Sequence, residues 1–326
     1  MHCGSGRIVK VTTGTYAGVD GAGPEYETLA LLGSNCLIDD LEGLCLANEL
    51  CNRYGLDTIS TGGVIAFGME AYEKGLITRE DTEGIELRWG KTEALIEMIK
   101  KIAQKKGFGE ILGRGVKGAS EKLGKNSIEF AMHVKGLDLP AHDPRAYNAG
   151  AVGYATSSRG ACHLAGLSHT FERTLKAPEI GIPEPVDRFQ VEGKGITAAK
   201  SQNLIGMMDS LKLCKFILFG GITITDMLKW YHLVTGGEMT VDDFMNTGER
   251  IFNLKRLYNV RRGISRKDDS LPFRSLTFKR IGKGLTPNLP PLGQMLSEYY
   301  EYRGWSEEGI PTAEKLKELG LWKDVL

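Results

Sequence analysis

A carboxylate and a thiol stand five residues apart in the segment D-S-L-K-L-C, which runs from Asp209 to Cys214 and precedes an apolar run. A carboxylate can accept hydrogen bonds from a bound organic cofactor, and a thiolate is the usual ligand of an iron–sulfur cluster. One short segment could therefore contact two cofactors and hold them side by side. The alternative for this segment alone is a helix end with a buried cysteine, because free cysteine is among the most buried residue types.

A second segment, N-R-Y-G-L-D over residues 52–57, shares this arrangement. Each segment ends a helical pattern with a polar residue, three spacers, a leucine and then Asp or Cys. The helix before the second segment is predicted over Leu41 to Tyr54, with an N-terminal aspartate cap and Gly55 as its closing residue. Asp57 is then predicted to lie just past a helix C-terminus, in a polar turn before a helix that begins at about Val64. An anion placed there needs a hydrogen-bond donor.

Three further side chains stand in strings that favour a site. G-P-E-Y-E-T places Glu25 and Glu27 two residues apart, on one side of an extended segment, although a solvated loop is the alternative. His163 ends the small, Gly-rich string G-Y-A-T-S-S-R-G-A-C-H, whose composition lets backbone pack closely against a ligand. A nucleophilic pair of Cys162 with His163 is disfavoured, because adjacent side chains usually point apart. Cys3, taken with its own segment alone, is expected to be a surface cysteine on a frayed terminus.

The totals exclude several classes of protein. The 326 residues suffice for about two domains, and 41 basic residues balance 41 acidic ones, which argues against a nucleic-acid or membrane partner. No apolar run approaches the roughly 18 residues that span a bilayer, and no signal peptide is recognised, so a cytoplasmic protein is expected. Six cysteines indicate reduced thiols or metal ligands rather than a disulfide framework. The periodicity predicts a mainly α protein with a few short strands, in two helical domains over residues 1–132 and 133–326.

Taken together, the strings resemble the tungsten-containing aldehyde:ferredoxin oxidoreductase family. The shared strings are, in chain order, G-P-E-Y-E-T, N-R-Y-G-L-D-T-I-S-T-G-G, L-P-A-H-D-P-R, G-Y-A-T-S-S-R-G-A-C-H and D-S-L-K-L-C. The resemblance runs from Cys3 to about Trp322 and implies the fold of the family's second and third domains. The family's first domain, with the first two cysteines of its C-x2-C-x3-C motif, is expected to be missing.

The resemblance implies a tungsten or molybdenum ion held by the dithiolene sulfurs of two pterins, with a [4Fe-4S] cluster nearby. It also implies oxidation of a small aldehyde to a carboxylic acid, with electrons passed singly through the cluster to ferredoxin. Glu27 becomes the candidate base and His163 the candidate hydrogen-bond donor to the substrate carbonyl. The cofactor-binding candidates are Asn52, Gly55, Leu56, Asp57, Asp209 and Leu213, and the cluster ligands are Cys3 and Cys214.

Three departures from the family pattern bear on function. Asn52 replaces an aspartate, Lys212 replaces a glycine, and two cysteines cannot hold a cluster that uses four. The chain is therefore expected to be inactive without the missing N-terminal domain or subunit, and a homodimer is left open.

Two alternatives stay open. One is a related metal–pterin enzyme acting on an aromatic acyl thioester or a sugar-phosphate aldehyde. The other is a non-catalytic helical scaffold fragment.

Overall fold

The computed structural model describes residues 8–321, so the predicted ligand Cys3 and Trp322 lie outside the described part of the chain. The chain divides into two compact units. The first ends at Ala141 and also takes in Pro272–Arg274, and the second comprises His142–Leu271 and the chain from Ser275 onward. Within residues 8–321, no helix combines the length and apolar character needed to cross a bilayer.

Helices dominate the described residues, which confirms the predicted fold class. The α-helices are α1 (Tyr26–Thr28), α2 (Leu41–Tyr54), α3 (Thr58–Glu73), α4 (Thr92–Gln104), α5 (Phe108–Leu112), α6 (Gly115–Leu123), α7 (Asn148–Thr156), α8 (Lys194–Ser210), α9 (Ile224–Thr235), α10 (Val241–Arg261), α11 (Phe273–Thr277), α12 (Leu292–Arg303) and α13 (Ala313–Glu318). The strands are β1 (Ile8–Lys10), β2 (Asp20–Ala22), β3 (His133–Val134) and β4 (Leu137–Asp138). β1 pairs with β2 and β3 with β4, both antiparallel, with Val9 opposite Gly21 and His133 opposite Asp138.

The core of the first unit forms around α3. The residues from Thr61 to Met69 are apolar or small, and Val64, Ile65 and Met69 are almost fully buried. A π-helix at Leu29–Gly33 follows α1 and packs against α3. This contact requires a glycine, because a Cβ atom at Gly62 would lie 2.4 Å from the backbone carbon of Leu31.

In the second unit, α8 packs against α7, α10 and α12. The crossing of α8 and α10 is so close that a Cβ atom at Gly248 would lie 2.2 Å from the carbonyl oxygen of Asn203. The Arg303 side chain on α12 is fully buried and donates hydrogen bonds to Asn203 Oδ1 at 2.6 Å and Gln202 Oε1 at 3.0 Å. These contacts hold α8, which delivers the segment that ends in Cys214.

The turn around Asp57 differs from the sequence prediction. α2 has the predicted bounds, with the Asp40 side chain accepting a bond from the Gly43 N–H at 3.0 Å and Gly55 in the left-handed conformation. α3, however, begins at Thr58 rather than near Val64. Asp57 is its N-cap, so the carboxylate stands at the favourable end of a helix dipole. The small polar residues that suggested a turn are the first turn of α3.

Candidate active site

Glu27 is a half-buried carboxylate at the junction of α1 and the π-helix. Its Oε2 accepts a hydrogen bond from the Ala141 N–H at 2.8 Å. Burial raises the pKa of Glu27, the Ala141 N–H partly offsets this, and the Asp57 charge raises it further. Next to it, the Thr28 and Thr58 hydroxyls are 2.8 Å apart, which ties α1 to the start of α3. The first unit therefore brings Glu27 and the Asp57 turn together, as the predicted site requires.

The turn that follows α2 is closed by two backbone bonds. The Gly55 N–H donates to the Asn52 carbonyl at 3.3 Å, and the Leu56 N–H donates to the Cys51 carbonyl at 2.8 Å. This pair of bonds, with a left-handed residue between them, is a Schellman cap. Asn52, Gly55 and Asp57 are exposed on it. The Asp57 Oδ2 accepts a bond from the Ser60 N–H at 2.8 Å.

The turn that follows α8 has the same construction. The Lys212 N–H donates to the Asp209 carbonyl at 3.2 Å, and the Leu213 N–H donates to the Met208 carbonyl at 2.9 Å. Lys212 takes the left-handed position with φ of 59°, where the first turn has glycine. Asp209 Oδ1 forms an ion pair with Lys215 Nζ at 2.8 Å.

Cys214 occupies the position that Asp57 occupies in the first turn. Its side chain is exposed and makes no capping hydrogen bond to the 3-10 helix Lys215–Gly220 that follows. The thiol is thus open to a ligand.

His163 lies among two other histidines of the second unit. Its ring centroid is 4.9 Å from that of His142 and 5.7 Å from that of His169, and the latter two rings are 4.2 Å apart. Burial lowers the pKa of all three, to about 3 for His163, about 4 for His142 and about 2 for His169. The three imidazoles are therefore neutral at pH 7.

The second unit also brings the predicted His163 and the Asp209 turn together. Nearby positive charges lower the pKa of His163 further, after burial and His142, and they belong to Arg159 and to Lys215 of the turn. Lys215 therefore has both the Asp209 carboxylate and the His163 ring in its surroundings.

Sequence reasoning missed His142 and His169 as neighbours of His163. His142 stands in the string L-P-A-H-D-P-R, which was itself noticed, whereas His169 stands in no informative string. A small cavity of about 10 Å³ touches His163 and His169 and is lined by Gly150, Gly153 and Tyr154 of α7. The backbone there is close, since a Cβ atom at Gly150 would lie 3.1 Å from the His169 Cβ.

A buried ion pair anchors the segment that carries His169. The Glu172 carboxylate and Lys194 Nζ are 2.9 Å apart, and both side chains are at most 1% exposed. The same carboxylate accepts bonds from the Ala149 and Gly150 N–H groups at 3.0 and 3.1 Å, at the N-terminus of α7. Glu172 thus joins the start of α7, the His169 segment and the start of α8. Nothing in the sequence indicated this pair.

Of the described cysteines, Cys214 is the one that suits a cluster ligand. Cys36, Cys45 and Cys51 are buried, as core residues are. Burial raises the pKa of Cys36 and Cys51 to about 12, so they are poor thiolates. Cys162 is half-buried and accepts a bond from Arg159 Nη2 at 2.6 Å.

Comparison with known proteins places this site in a family. The family described as aldehyde ferredoxin oxidoreductase, domains 2 and 3, matches residues 1–321. The chain belongs to this family. It is 40% identical over 307 residues to the tungsten-containing aldehyde ferredoxin oxidoreductase of Pyrococcus horikoshii, covering 92% of this chain and 49% of that protein. It is 30% identical over 327 residues to the aliphatic sulfonate oxidoreductase, WOR-like subunit, of Pyrococcus furiosus, covering 97% of this chain and 48% of that protein.

A solved structure shares the fold of this aldehyde ferredoxin oxidoreductase family member. The active-site complex of benzoyl coenzyme A reductase with 1,5-dienoyl-CoA matches with a TM-score of 0.71 and 22% identity, over 93% of this chain and 49% of that one. At this identity the likeness shows the fold alone. The chain spans about half the length of the curated relatives it matches.

The exposed side chains of the two turns suit an organic cofactor that carries hydrogen-bond donors. Asp57 and Asp209 are exposed carboxylates, and each belongs to a Schellman cap. The Asp57 Oδ2 is engaged by Ser60 and the Asp209 Oδ1 by Lys215, so each carboxylate keeps one oxygen for a donor on a ligand.

Proposed function

We propose that this chain forms part of a tungsten- or molybdenum-containing oxidoreductase that converts a small aldehyde and water into a carboxylic acid. The observation that carries the proposal is the matched pair of turns, which present Asp57 in one unit and Asp209 with Cys214 in the other. A scaffold without cofactors would have no need to repeat this cap with exposed carboxylates. Family membership supports the same conclusion.

The two turns are the proposed contacts for two pterins. Asp57 and Asp209 accept hydrogen bonds from pterin N–H groups, while Gly55, Leu56 and Leu213 offer backbone groups and Asn52 an amide. Cys214, together with Cys3, contributes to a [4Fe-4S] cluster whose remaining ligands come from another part of the protein. When bound, the metal–pterin group would supply two-electron oxidation chemistry, and the cluster would supply single-electron transfer toward ferredoxin.

Glu27 and His163 are the proposed proton-handling residues. The raised pKa of Glu27 keeps the carboxylate only moderately acidic, which suits a base that accepts a proton from water or from the aldehyde carbon. His163 is neutral at pH 7, so its imidazole N–H can donate a hydrogen bond to the substrate carbonyl without adding a charge. Gly150 and Gly153 let the backbone of α7 pack close to His163, so the cavity beside this histidine leaves little volume for water.

The proposed activity depends on the part of the relatives that this sequence does not match. The chain matches 49% of the Pyrococcus horikoshii protein, and the matched family segment is named for domains 2 and 3. We therefore propose a first domain, or a separate subunit, as a necessary partner. Aliphatic sulfonates are a second substrate class to assay beside aldehydes, because the sulfonate oxidoreductase relative is 30% identical.

The proposal is tested by elemental analysis for tungsten, molybdenum and iron after anaerobic purification. Two preparations are compared: this chain alone, and a longer form that also carries the family's first domain. Metal is expected only in the longer form. Full metal content with aldehyde oxidation by the chain alone would overturn the need for a partner, and absence of metal from both would overturn the oxidoreductase assignment.

Two cysteine variants of the longer form test the ligand assignment. Cys214→Ala is expected to lose at least half of the iron, because one of the cluster ligands is removed. Cys162→Ala is the matched control and should retain its iron. Equal iron content in the two variants would exclude Cys214 as a ligand.

A further inference from the structure

A recess of about 90 Å³ lies between α8 and α10 in the second unit. Gln202, Gly206 and Asp209 line it from α8, and Gly248 and Lys255 line it from α10. Its remaining wall includes Ser158 and Arg159, which precede His163 in the chain. Pockets for drug-sized ligands measure about 300 Å³ or more, so this one has room only for a group of a few heavy atoms. A pterin ring system is too large for it.

The recess carries excess positive charge. Arg159 and Lys255 have no carboxylate within ion-pair distance among residues 8–321, and both side chains reach solvent. The one carboxylate in the wall, Asp209, is paired with Lys215. Together these four groups leave a net charge of about +2 around a small space, which attracts an anion.

A further cation, Arg303, lies directly behind the recess. Arg303 is fully buried, and the described residues place no carboxylate within ion-pair distance of its guanidinium. Its Nη2 donates to Gln202 Oε1 at 3.0 Å, and its guanidinium carbon lies 4.4 Å from the centroid of the Phe252 ring. Gln202 and Phe252 are both recess-lining residues. A buried cation without a counter-charge is costly, and an anion in the recess would offset part of that cost.

The wall of the recess is held in place before any ligand binds. Asn259 Nδ2 donates to the Ser158 carbonyl at 2.7 Å and so fixes the segment ahead of Arg159 to α10. Gln202 Nε2 donates to Thr156 Oγ1 at 2.9 Å, and its Oε1 accepts from the Tyr299 hydroxyl at 2.7 Å. A preformed wall reduces the entropy lost on binding.

We propose that this recess binds a small oxyanion of phosphate size, with Arg159 and Lys255 as its charged contacts and Arg303 as a buried counter-charge behind Gln202 and Phe252. The anion is either free phosphate or the phosphate group of a phosphorylated ligand. This inference does not depend on the proposed oxidoreductase activity, because binding to the chain alone tests it.

The first experiment titrates the full chain with inorganic phosphate by isothermal calorimetry, and follows the Gly206 and Gly248 amide signals by ¹⁵N NMR. Saturable binding with a dissociation constant below about 1 mM is expected. The double variant Arg159→Gln/Lys255→Gln should bind at least about tenfold more weakly, because two charge-assisted contacts are lost. Lys229→Gln, which removes an exposed lysine on α9, is the control and should bind as the unaltered chain does.

A second variant blocks the space and leaves every charge in place. A Cβ atom at Gly206 would lie 3.9 Å from the Gly248 carbonyl oxygen and 4.0 Å from Ile251 Cγ2, so Gly206→Ala fits without a clash and narrows the recess. Because alanine favours the helix, this variant should fold at least as stably as the parent. Its affinity for phosphate should fall at least about threefold, since the methyl group occupies the anion's space.

Glycerol 3-phosphate and glycerol, at matched ionic strength, distinguish the two sources of the anion. Tighter binding of the phosphomonoester than of inorganic phosphate assigns the recess to a phosphorylated ligand, and equal or weaker binding assigns it to free phosphate. Either result supports the recess. No saturable binding of phosphate or of its monoester, or equal affinity in the double variant and the Lys229→Gln control, would overturn it.

Discussion

The turn that ends α2 and the turn that ends α8 use the same two backbone hydrogen bonds but carry different side chains. Asp57 has φ and ψ of −69° and 122°, and Cys214 has −68° and 125°. Asp57 caps the helix that follows it, whereas Cys214 caps nothing. The left-handed position holds glycine in one turn and Lys212 in the other. A single backbone design thus supports two chemistries, because its stability comes from main-chain bonds and leaves the exposed side chains free to differ.

Acidic pH should have the largest effect on stability, and the titratable groups near the two turns should contribute to it with opposite signs. The three histidines of the His163 cluster have pKa values of about 2 to 4 in the folded chain. As the pH falls below about 6.5, these histidines therefore bind protons in the unfolded chain but not in the folded chain. The stabilisation from keeping these histidines neutral is therefore fully present above pH 6.5. Below that pH the free energy of unfolding decreases, by up to about 1.4 kcal/mol per pH unit for each histidine. Glu27, near the first turn, acts in the opposite direction: its raised pKa makes the folded state hold a proton more tightly.

The measurement is the free energy of unfolding in urea at pH 7.5 and pH 5.0. His163→Gln should reduce the decrease in the free energy of unfolding between pH 7.5 and pH 5.0, because it removes one side chain that binds a proton only in the unfolded chain. His232→Gln, which changes an exposed histidine on α9, should leave this decrease unchanged. An equal pH dependence in both variants would contradict the assignment.

Replacing the left-handed glycine of the first turn tests the shared cap next. Gly55→Ala should destabilise the chain by about 1–2 kcal/mol, because a Cβ atom is unfavourable at φ of 69°. The space around Gly55 is open, so no steric collision contributes. Thermal and urea unfolding measure the change. A neutral effect would mean that the turn can leave this conformation at no cost.

The Asp57 side chain makes a capping hydrogen bond that Cys214, at the same position of the other turn, does not make. Asp57→Ala should cost about 1 kcal/mol of stability, because the Ser60 N–H loses its acceptor, while Asp57→Asn keeps most of it. Cys214→Ala should change stability by less than about 0.5 kcal/mol, since the thiol makes no cap bond. Equal losses for Asp57→Ala and Cys214→Ala would erase the difference between the turns.

Introducing glycine into the second turn should have a small effect on stability, and its sign is opposite to that of Gly55→Ala. Lys212→Gly should stabilise the chain by about 0.5–1 kcal/mol, because it relieves a left-handed non-glycine residue. The unfolding midpoint in urea measures this gain. Lys267→Gly, at an exposed position with no left-handed strain, is the control and should give no gain.

The sequence predicted those parts of the fold that local patterns determine. α2 has its predicted bounds because its apolar stripe, its aspartate cap and Gly55 all agree. The predicted start of α3 lies too far along the chain, because Ser60, Thr61 and Gly62 are residue types that are common in turns. Gly62 is present for a different reason, namely the close approach of Leu31, and only the packed structure shows this.

The sequence indicated candidate site residues where they stand in recognisable strings, but not where the candidate site depends on packing. Glu27, Asp57, His163 and Asp209 were proposed from their strings and stay predictions, and each unit places its own members of this set near one another. His169 joins His142 and His163 only through the fold. Lys212 conceals the second cap in the same way, because lysine gives no sequence signal for a left-handed residue.

The Glu172–Lys194 pair has a consequence for hydrogen exchange. Amide protons in the first turn of a helix ordinarily exchange with solvent quickly, because they have no acceptor within the helix. At the start of α7, the Ala149 and Gly150 amides instead donate to a carboxylate that is shielded from water and locked by an ammonium group. These two protons can exchange only when the His169 segment and the starts of α7 and α8 separate together. The start of α7, although it is a helix end, is therefore expected to exchange as slowly as the core of the unit.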